Sequence, residues 1–321
     1  MAKGTRTQGI GMTARHHHFL SQCYLRGFTN NGSKKSNLRV INVADGTHFE
    51  TKPRNVGGIR DFNRIDAEGV DQNILEKSLA DFEGEAATAI KALVEGEDFS
   101  GERREIVLYL IGLLAVRSPH RREQMGAFQA QIIERMMDLS LDSKERWDSQ
   151  IEGLRASGGK VLDNVTYEDV KRFHESKAYT IQVAREHHIQ MEMGLLQTIV
   201  PLLSARNWSV IRSDDDSGSF ITTDSPVLLE FEEPEKVPAF YRRSPGFGLD
   251  KTYLYFPVSK HVSLLGQFSE RQAEMGATRT IVASLNSAML GSVYRQVYAP
   301  GLDFPVMSAE GKVISGKALV R

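Results

Sequence analysis

The sequence predicts an α+β fold: an N-terminal helix and small β-hairpin, a helical middle, and a β-rich C-terminal third with one helix. Three observations predict it. Residues 38–43 (LRVINV) read as a strand, with Ala44-Asp45-Gly46-Thr47 as its turn and residues 48–51 as the returning strand. From Gln72 the apolar period becomes helical, and after Trp208 short apolar runs alternate with turn residues. Helices and strands that segregate along the chain favour α+β over an alternating parallel sheet.

The elements follow in order. Residues 1–14 are rich in Gly and Thr and are expected to be a flexible N-terminus. In HHHFLSQCYLRGF, Phe19, Cys23 or Tyr24, and Phe28 stand near helical spacing. A short helix is predicted there, ended by Gly27 or by Asn30-Asn31-Gly32. Residues 55–66 read as a loop broken at Gly57-Gly58. Ile74, Leu75, Leu79, Phe82, Ala86, Ile90 and Leu93 form one apolar stripe. Ser100 caps a second helix with Glu102 in its first turn, and Pro119 should end or kink it near Arg117. Helices are expected over 121–139 and 143–156, with a break at 157–159. Thr166 then caps a long helical stretch over 167–206, with a kink at Pro201.

Strands are expected at 208–212, 219–222, 227–231, 252–256 and 262–265, and a helix at 279–292. Residues 292–299 read as a helix end or a strand, and 306–321 as a surface tail. At ~150 residues per domain, 321 residues make one large domain or two. The order of elements suggests one, over 15–305, with a helical sub-domain at about 72–206 and a β-rich part at about 207–300.

Composition narrows the class. Hydrophobic residues at 40% and charged residues at 25% are those of an ordinary globular protein, which excludes collagen, coiled coil and wholesale disorder. The only cysteine, Cys23, allows no internal disulfide and fits a reducing compartment. The N-terminal segment lacks the apolar run of a signal peptide. The longest apolar stretch, residues 106–116, has 11 residues against the roughly 20 that span a bilayer. A cytoplasmic protein with no membrane partner is expected. Net charge is -1, but residues 1–65 carry eleven Lys and Arg against three acids, and 213–235 carry eight acids with no Lys or Arg. A basic end can steer an anionic ligand, and both stretches equally suit solvated loops.

No GxxxxGK[ST], strand-bound GxGxxG, HExxH, CxxC or GxSxG occurs. This removes P-loop enzymes, common dinucleotide enzymes, zincins, zinc ribbons and most α/β-hydrolases. No nicotinamide, flavin or haem is expected. Four clusters remain. In His16-His17-His18, a helix would place His18, Gln22 and Arg26 on one face, as a metal or phosphate site or as a capped helix start. His188 and Glu192 stand at i, i+4, as a metal pair or an exposed polar pair. Asp224 in FITTDSPV follows a strand, as a ligand, a base or a turn cap. Glu83 and Arg117 sit on apolar stripes, where a charge needs a partner. The methionines at 136, 137, 191 and 193 read as core filling.

Seven segments together resemble the domain of unknown function 4238 family. They are HHHFLSQCYLRGF, KPRNVGGIRDFNRID, LADFEGEAATAIKAL, LLAVRSPHRR, FITTDSPV, YLYFPVSKHVSLL and LNSAMLGSVYRQVYA, in that order over about residues 15–300. The family's opening Pro is here Ser21 or Gln22, which leaves its His pair at 16/17 or 17/18. The resemblance implies that His17, His18, Arg26, Glu83, Arg117 and Asp224, with Asn286, converge on one pocket.

On this reading the expected function is a nuclease-like or phosphodiesterase hydrolase of nucleic acid or nucleotide. Stand-alone bacterial proteins of this kind suggest phage defence by association. His17, His18, Glu83 and Asp224 would act as catalytic groups or ligate a divalent metal, Mg²⁺ or Mn²⁺. Arg26 and Arg117 would bind the phosphate. The alternative is a non-catalytic protein that binds or senses a nucleotide or another anion. The helical middle is also suited to a homo-oligomer face.

Overall fold

The computed structural model describes residues 15–161, 164–242, 245–269 and 273–321; the expected flexible N-terminus, 1–14, lies outside them. The chain runs β1 (His16–His18), α1 (Gln22–Leu25), β2 (Leu38–Asn42), β3 (His48–Thr51), β4 (Gly58–Arg60), α2 (Ile74–Val94) and α3 (Gly101–Val116). Next come α4 (Pro119–Ser140), α5 (Lys144–Ala156), α6 (Tyr167–Ser176) and α7 (Arg185–Ser204). The last part holds β5 (Asn207–Arg212), β6 (Thr222–Thr223), β7 (Leu228–Phe231), β8 (Thr252–Pro257), β9 (Val262–Gln267) and β10 (Glu274–Gly276). It ends with α8 (Arg279–Gly291), β11 (Gln296–Ala299), β12 (Pro305–Met307) and β13 (Val313–Ser315). The fold is α+β.

The chain divides into two compact units. One comprises the described residues up to Ser118 together with Ile189–Arg321, and the other is Pro119–His188. This differs from the single domain with a helical part at 72–206. The reason is burial. α2, α3 and residues 189–204 of α7 contribute Ala86, Ile90, Leu110, Ile111, Leu196 and Leu203 to the large unit's core, whereas α4 and α5 bury no residue.

In the large unit, a five-stranded sheet has the order β10-β5-β9-β8-β7, antiparallel except for the parallel β10–β5 pair. A four-stranded antiparallel sheet has the order β3-β2-β11-β6. β1 pairs with β4, and β12 with β13. Trp208 of β5 is 1% exposed and lies against Gly266 of β9, where a Cβ would stand 2.9 Å from its ring atoms. Its indole N–H donates to the Leu203 carbonyl at 2.8 Å.

In the small unit, Ser143 and Thr166 cap α5 and α6 by accepting from the Arg146 and Asp169 amides. The stretch predicted as one helix over 167–206 is instead two. α6 stops at Lys177, whose φ of 51° is left-handed, and regular helix resumes only at α7.

One further expectation is refined and one corrected. The 306–321 tail, mostly at the surface, is also ordered: β12 and β13 form a hairpin, Val306 is 2% exposed, and the Gly316 amide donates to the Phe304 carbonyl. His16–His18 is a strand rather than the start of a helix, because it pairs with β4 at His17↔Ile59. The Phe19 and Leu20 amides both donate to the Gly57 carbonyl, at 2.8 and 3.1 Å. Gly57 itself has φ 67°, and a Cβ there would lie 2.9 Å from Leu20. The supposed shared helical face of His18, Gln22 and Arg26 therefore does not exist.

Candidate functional site

Strand alternation sends His17 inward, where it is fully buried, and leaves His18 half-buried with His16 exposed. The Asn63 amide donates to His17 Nδ1 at 2.9 Å. That nitrogen therefore holds a lone pair, and the neutral ring keeps its proton on Nε2. A histidine that ligates a metal through Nε2 normally donates from Nδ1, and His17 has the opposite arrangement. His18 Nε2 donates to the Arg54 carbonyl at 3.2 Å, which leaves Nδ1 as the basic atom of the neutral ring.

Asn63 links this strand to α2, because its Nδ2 donates to Glu76 Oε2 at 2.6 Å. Glu76 and Glu83 are seven residues apart, about two turns along one helix face. Arg117 is the residue that follows α3, ended early by Pro119. It is 1% exposed, and its Nη2 donates to the His18 carbonyl at 2.9 Å. Arg26 Nη2 donates to the Ala87 carbonyl at 2.8 Å and so ties the end of α1 to α2.

The electrostatics join these groups. Burial lowers the pKa of His18, helped by His16 and Arg117 and opposed by its Arg54 hydrogen bond and by Glu76. Burial raises that of Glu83, aided by Glu76 and opposed by Ser21, Arg117 and Lys34. Arg117 and Glu76 thus act on both side chains. The neighbouring Cys23 thiol is pushed up to about 12 by burial and by Glu83, so it is no nucleophile at neutral pH.

Among the buried polar atoms of this cluster, Ser21 Oγ and Asn63 Oδ1 meet no partner in ideal hydrogen-bond geometry. The Ser21 hydroxyl nevertheless lies near enough to Glu83 to favour its ionised form, though outside hydrogen-bond geometry. Each unmatched atom costs roughly 1–3 kcal/mol. Part of the basic charge of the N-terminal region is paired locally, since Arg15 and Arg60 face Asp61, Arg39 faces Glu50 and Arg64 faces Asp66.

His17, His18, Glu83 and Arg117 therefore belong to one cluster, with Arg26 bracing it. Asp224 has a different setting. It is 7% exposed, and its carboxylate accepts from the Tyr294 amide at 2.9 Å, Arg295 at 2.7 Å and Gln296 at 3.2 Å. It closes the turn into β11, and burial raises its pKa despite these three donors. Asn286 is a backbone clamp: its Oδ1 accepts from Ile221, and its Nδ2 donates to the Ser219 and Pro305 carbonyls.

Among the described residues no group of three or more His, Cys, Asp or Glu side chains is placed to hold a metal ion. The expected metal set of His17, His18, Glu83 and Asp224 is thus not assembled, because Asp224 is committed to backbone amides and His17 has the wrong tautomer. The His188 and Glu192 pair forms no such group either. Sequence reading missed Ser21, Asn63 and Glu76. Glu76 carried a signal, its two-turn spacing from Glu83; Asn63 and Ser21 carried none beyond their place in the quoted segments.

No helix among the described residues is long and apolar enough to cross a membrane. No curated protein and no solved structure matches the chain. One family model does, over residues 16–300, and the chain belongs to the family described as protein of unknown function (DUF4238).

Proposed function

We propose that the protein is a phosphodiester hydrolase of nucleic acid or nucleotide, working by acid–base catalysis at the His18–Glu83 cluster. The reading is supported by one arrangement: Arg117, whose Nη2 holds the His18 carbonyl, and Glu76 act on both His18 and Glu83, and burial favours the neutral form of each side chain. A neutral imidazole and a neutral carboxyl are the forms in which a general base and a general acid act. His18 Nδ1 takes a proton from water as the water oxygen bonds to phosphorus. The bond from phosphorus to the leaving sugar oxygen breaks, and the Glu83 carboxyl protonates that oxygen. Arg117 and Lys34 supply positive potential for the anionic substrate and its developing charge.

The divalent-metal version of this chemistry needs ligands other than the four first named. A second reading is non-catalytic binding of a nucleotide or another anion, for which Arg117 and Lys34 supply positive potential.

The test is incubation of the purified protein with single- and double-stranded DNA and RNA, in Mg²⁺, Mn²⁺ or EDTA. The Glu83→Gln and Asp224→Asn proteins run alongside. Cleavage that survives EDTA, is lost in Glu83→Gln and persists in Asp224→Asn is the expected result. Cleavage abolished by EDTA moves the mechanism to a metal, and cleavage of nothing favours the binding reading. Asp224→Asn should still lower the melting temperature, by the equivalent of roughly 1–3 kcal/mol, because its amide group would face backbone N–H donors.

A further inference from the structure

The small unit holds an open cavity of about 530 Å³, lined by α5, by residues 160, 161 and 165 beyond it, and by the start of α6. That size is typical of sites for small organic molecules. The turn at Ser157-Gly158-Gly159 builds it. Gly158 takes a φ of 79°, its amide donates to the Arg155 carbonyl at 3.0 Å, and the Gly159 amide donates to the Leu154 carbonyl at 2.8 Å. A Cβ on Gly159 would overlap the Leu154 side chain. The chain therefore folds back tightly and brings Lys160 and Val161 to the cavity that Leu154 and Arg155 already line.

The lining is part aromatic and part cationic. The Trp147 and Tyr167 rings stand 6.5 Å apart with their planes at 54°, a tilted pair suited to a third ring. The Tyr167 hydroxyl is already engaged, since it donates to the Leu141 carbonyl and accepts from Lys171. Leu154 and Val165 line the same space and are 45% and 39% exposed, so apolar surface is open there. Three cations and two acids also line it. Lys144 and Asp148 form an ion pair at 3.1 Å, and Glu168 stands in the first turn of α6, where the helix dipole favours its charge. Arg155 and Lys160 remain, and among the described residues neither meets a carboxylate.

We propose that this cavity binds a small organic anion with a flat aromatic body, an aryl carboxylate in the simplest case. Its ring packs against Trp147 and Tyr167, and its anionic group is held by Arg155 and Lys160. A neutral ring would leave the two cations without a counter-charge, and an aliphatic anion would forgo the aromatic contacts. The site lies wholly in the small unit, and its ligand does not depend on the hydrolase reading.

The experiment labels the full-length protein with 5-fluorotryptophan. Its two tryptophans, Trp147 and Trp208, then give two fluorine NMR resonances, assigned through Trp147→Phe. Addition of 2-naphthoate is expected to shift the Trp147 resonance to saturation and to leave that of Trp208, in the large unit's core, unmoved. Two controls divide the ligand: 2-naphthamide keeps the ring without the charge, and decanoate keeps the charge without the ring. Each is expected to bind about tenfold more weakly, the worth of one charge-assisted hydrogen bond or one aromatic contact. In the protein carrying both Arg155→Gln and Lys160→Gln, the advantage of naphthoate over naphthamide should vanish, with the unliganded Trp147 resonance showing that the fold is kept. No saturable shift at Trp147, an equal shift at Trp208, equal binding of naphthamide or decanoate, or an advantage that persists in the folded double variant overturns the proposal. The wild-type comparison of the three ligands decides the matter even where the double variant does not fold.

Discussion

Replacing Glu83 by Gln is expected to cut cleavage about 10²- to 10⁴-fold, the usual contribution of a positioned general acid, and to leave the folded protein at least as stable. The two effects share one cause. Burial and the nearby Glu76 hold the Glu83 carboxyl toward its neutral form, with its pKa above the ordinary 4.5. A group whose folded pKa is raised contributes stability below its unfolded pKa and loses it as pH rises through the folded one. Gln is neutral at every pH and has nearly the same shape. Wild type and variant should therefore melt alike well below pH 4.5, and the variant should melt higher as pH rises past the raised value. Activity would move the other way, a trade common where a site is kept under strain. Melting curves across pH beside single-turnover rates check both halves. A variant that is less stable at neutral pH would mean that the ionised carboxylate supports the fold instead of burdening it.

Trp208→Ala should be the most damaging single change to the fold, costing about 3–5 kcal/mol. The indole is 1% exposed, packs edge-on to Phe99 with ring centroids 6.3 Å apart, and fills the space over Gly266. Alanine leaves a cavity and takes away the N–H that meets the Leu203 carbonyl. Because Trp208 belongs to the same core as α2 and α3, the large unit should lose its cooperative transition at lower denaturant. Chemical denaturation followed by circular dichroism measures this, and a loss under 1 kcal/mol would show that the core closes over the missing ring.

What could be read from the sequence followed how local each determinant was. The Thr166 cap, the helix that begins after Ser143, the apolar run of α3 and its end before Pro119 depend on neighbours within a few residues, and each stands close to where it was expected. His16–His18 was misread because a three-residue strand is specified by its partner, Gly58–Arg60, some forty residues away. The clue lay in Gly57-Gly58, whose missing side chains leave room for Leu20 and for the His16 ring. Glu83 and Arg117 were legible as charges on apolar stripes. Asp224 was equally legible as a carboxylate after a strand, but ligand and turn cap look identical there, and amides at 294–296 decide between them. Asn63 was invisible as a site residue, since a single asparagine in a polar loop has no periodicity to betray its burial.

The most direct test of the account is an NMR titration of His18 and Glu83 in the substrate-free protein, with resonances assigned through His18→Ala and Glu83→Gln. The account predicts that His18 titrates below 6.5 and Glu83 above 4.5, and that removing the charge of Arg117 with Arg117→Met raises both. Ordinary values for both groups, or a His18 still protonated at neutral pH, would contradict it.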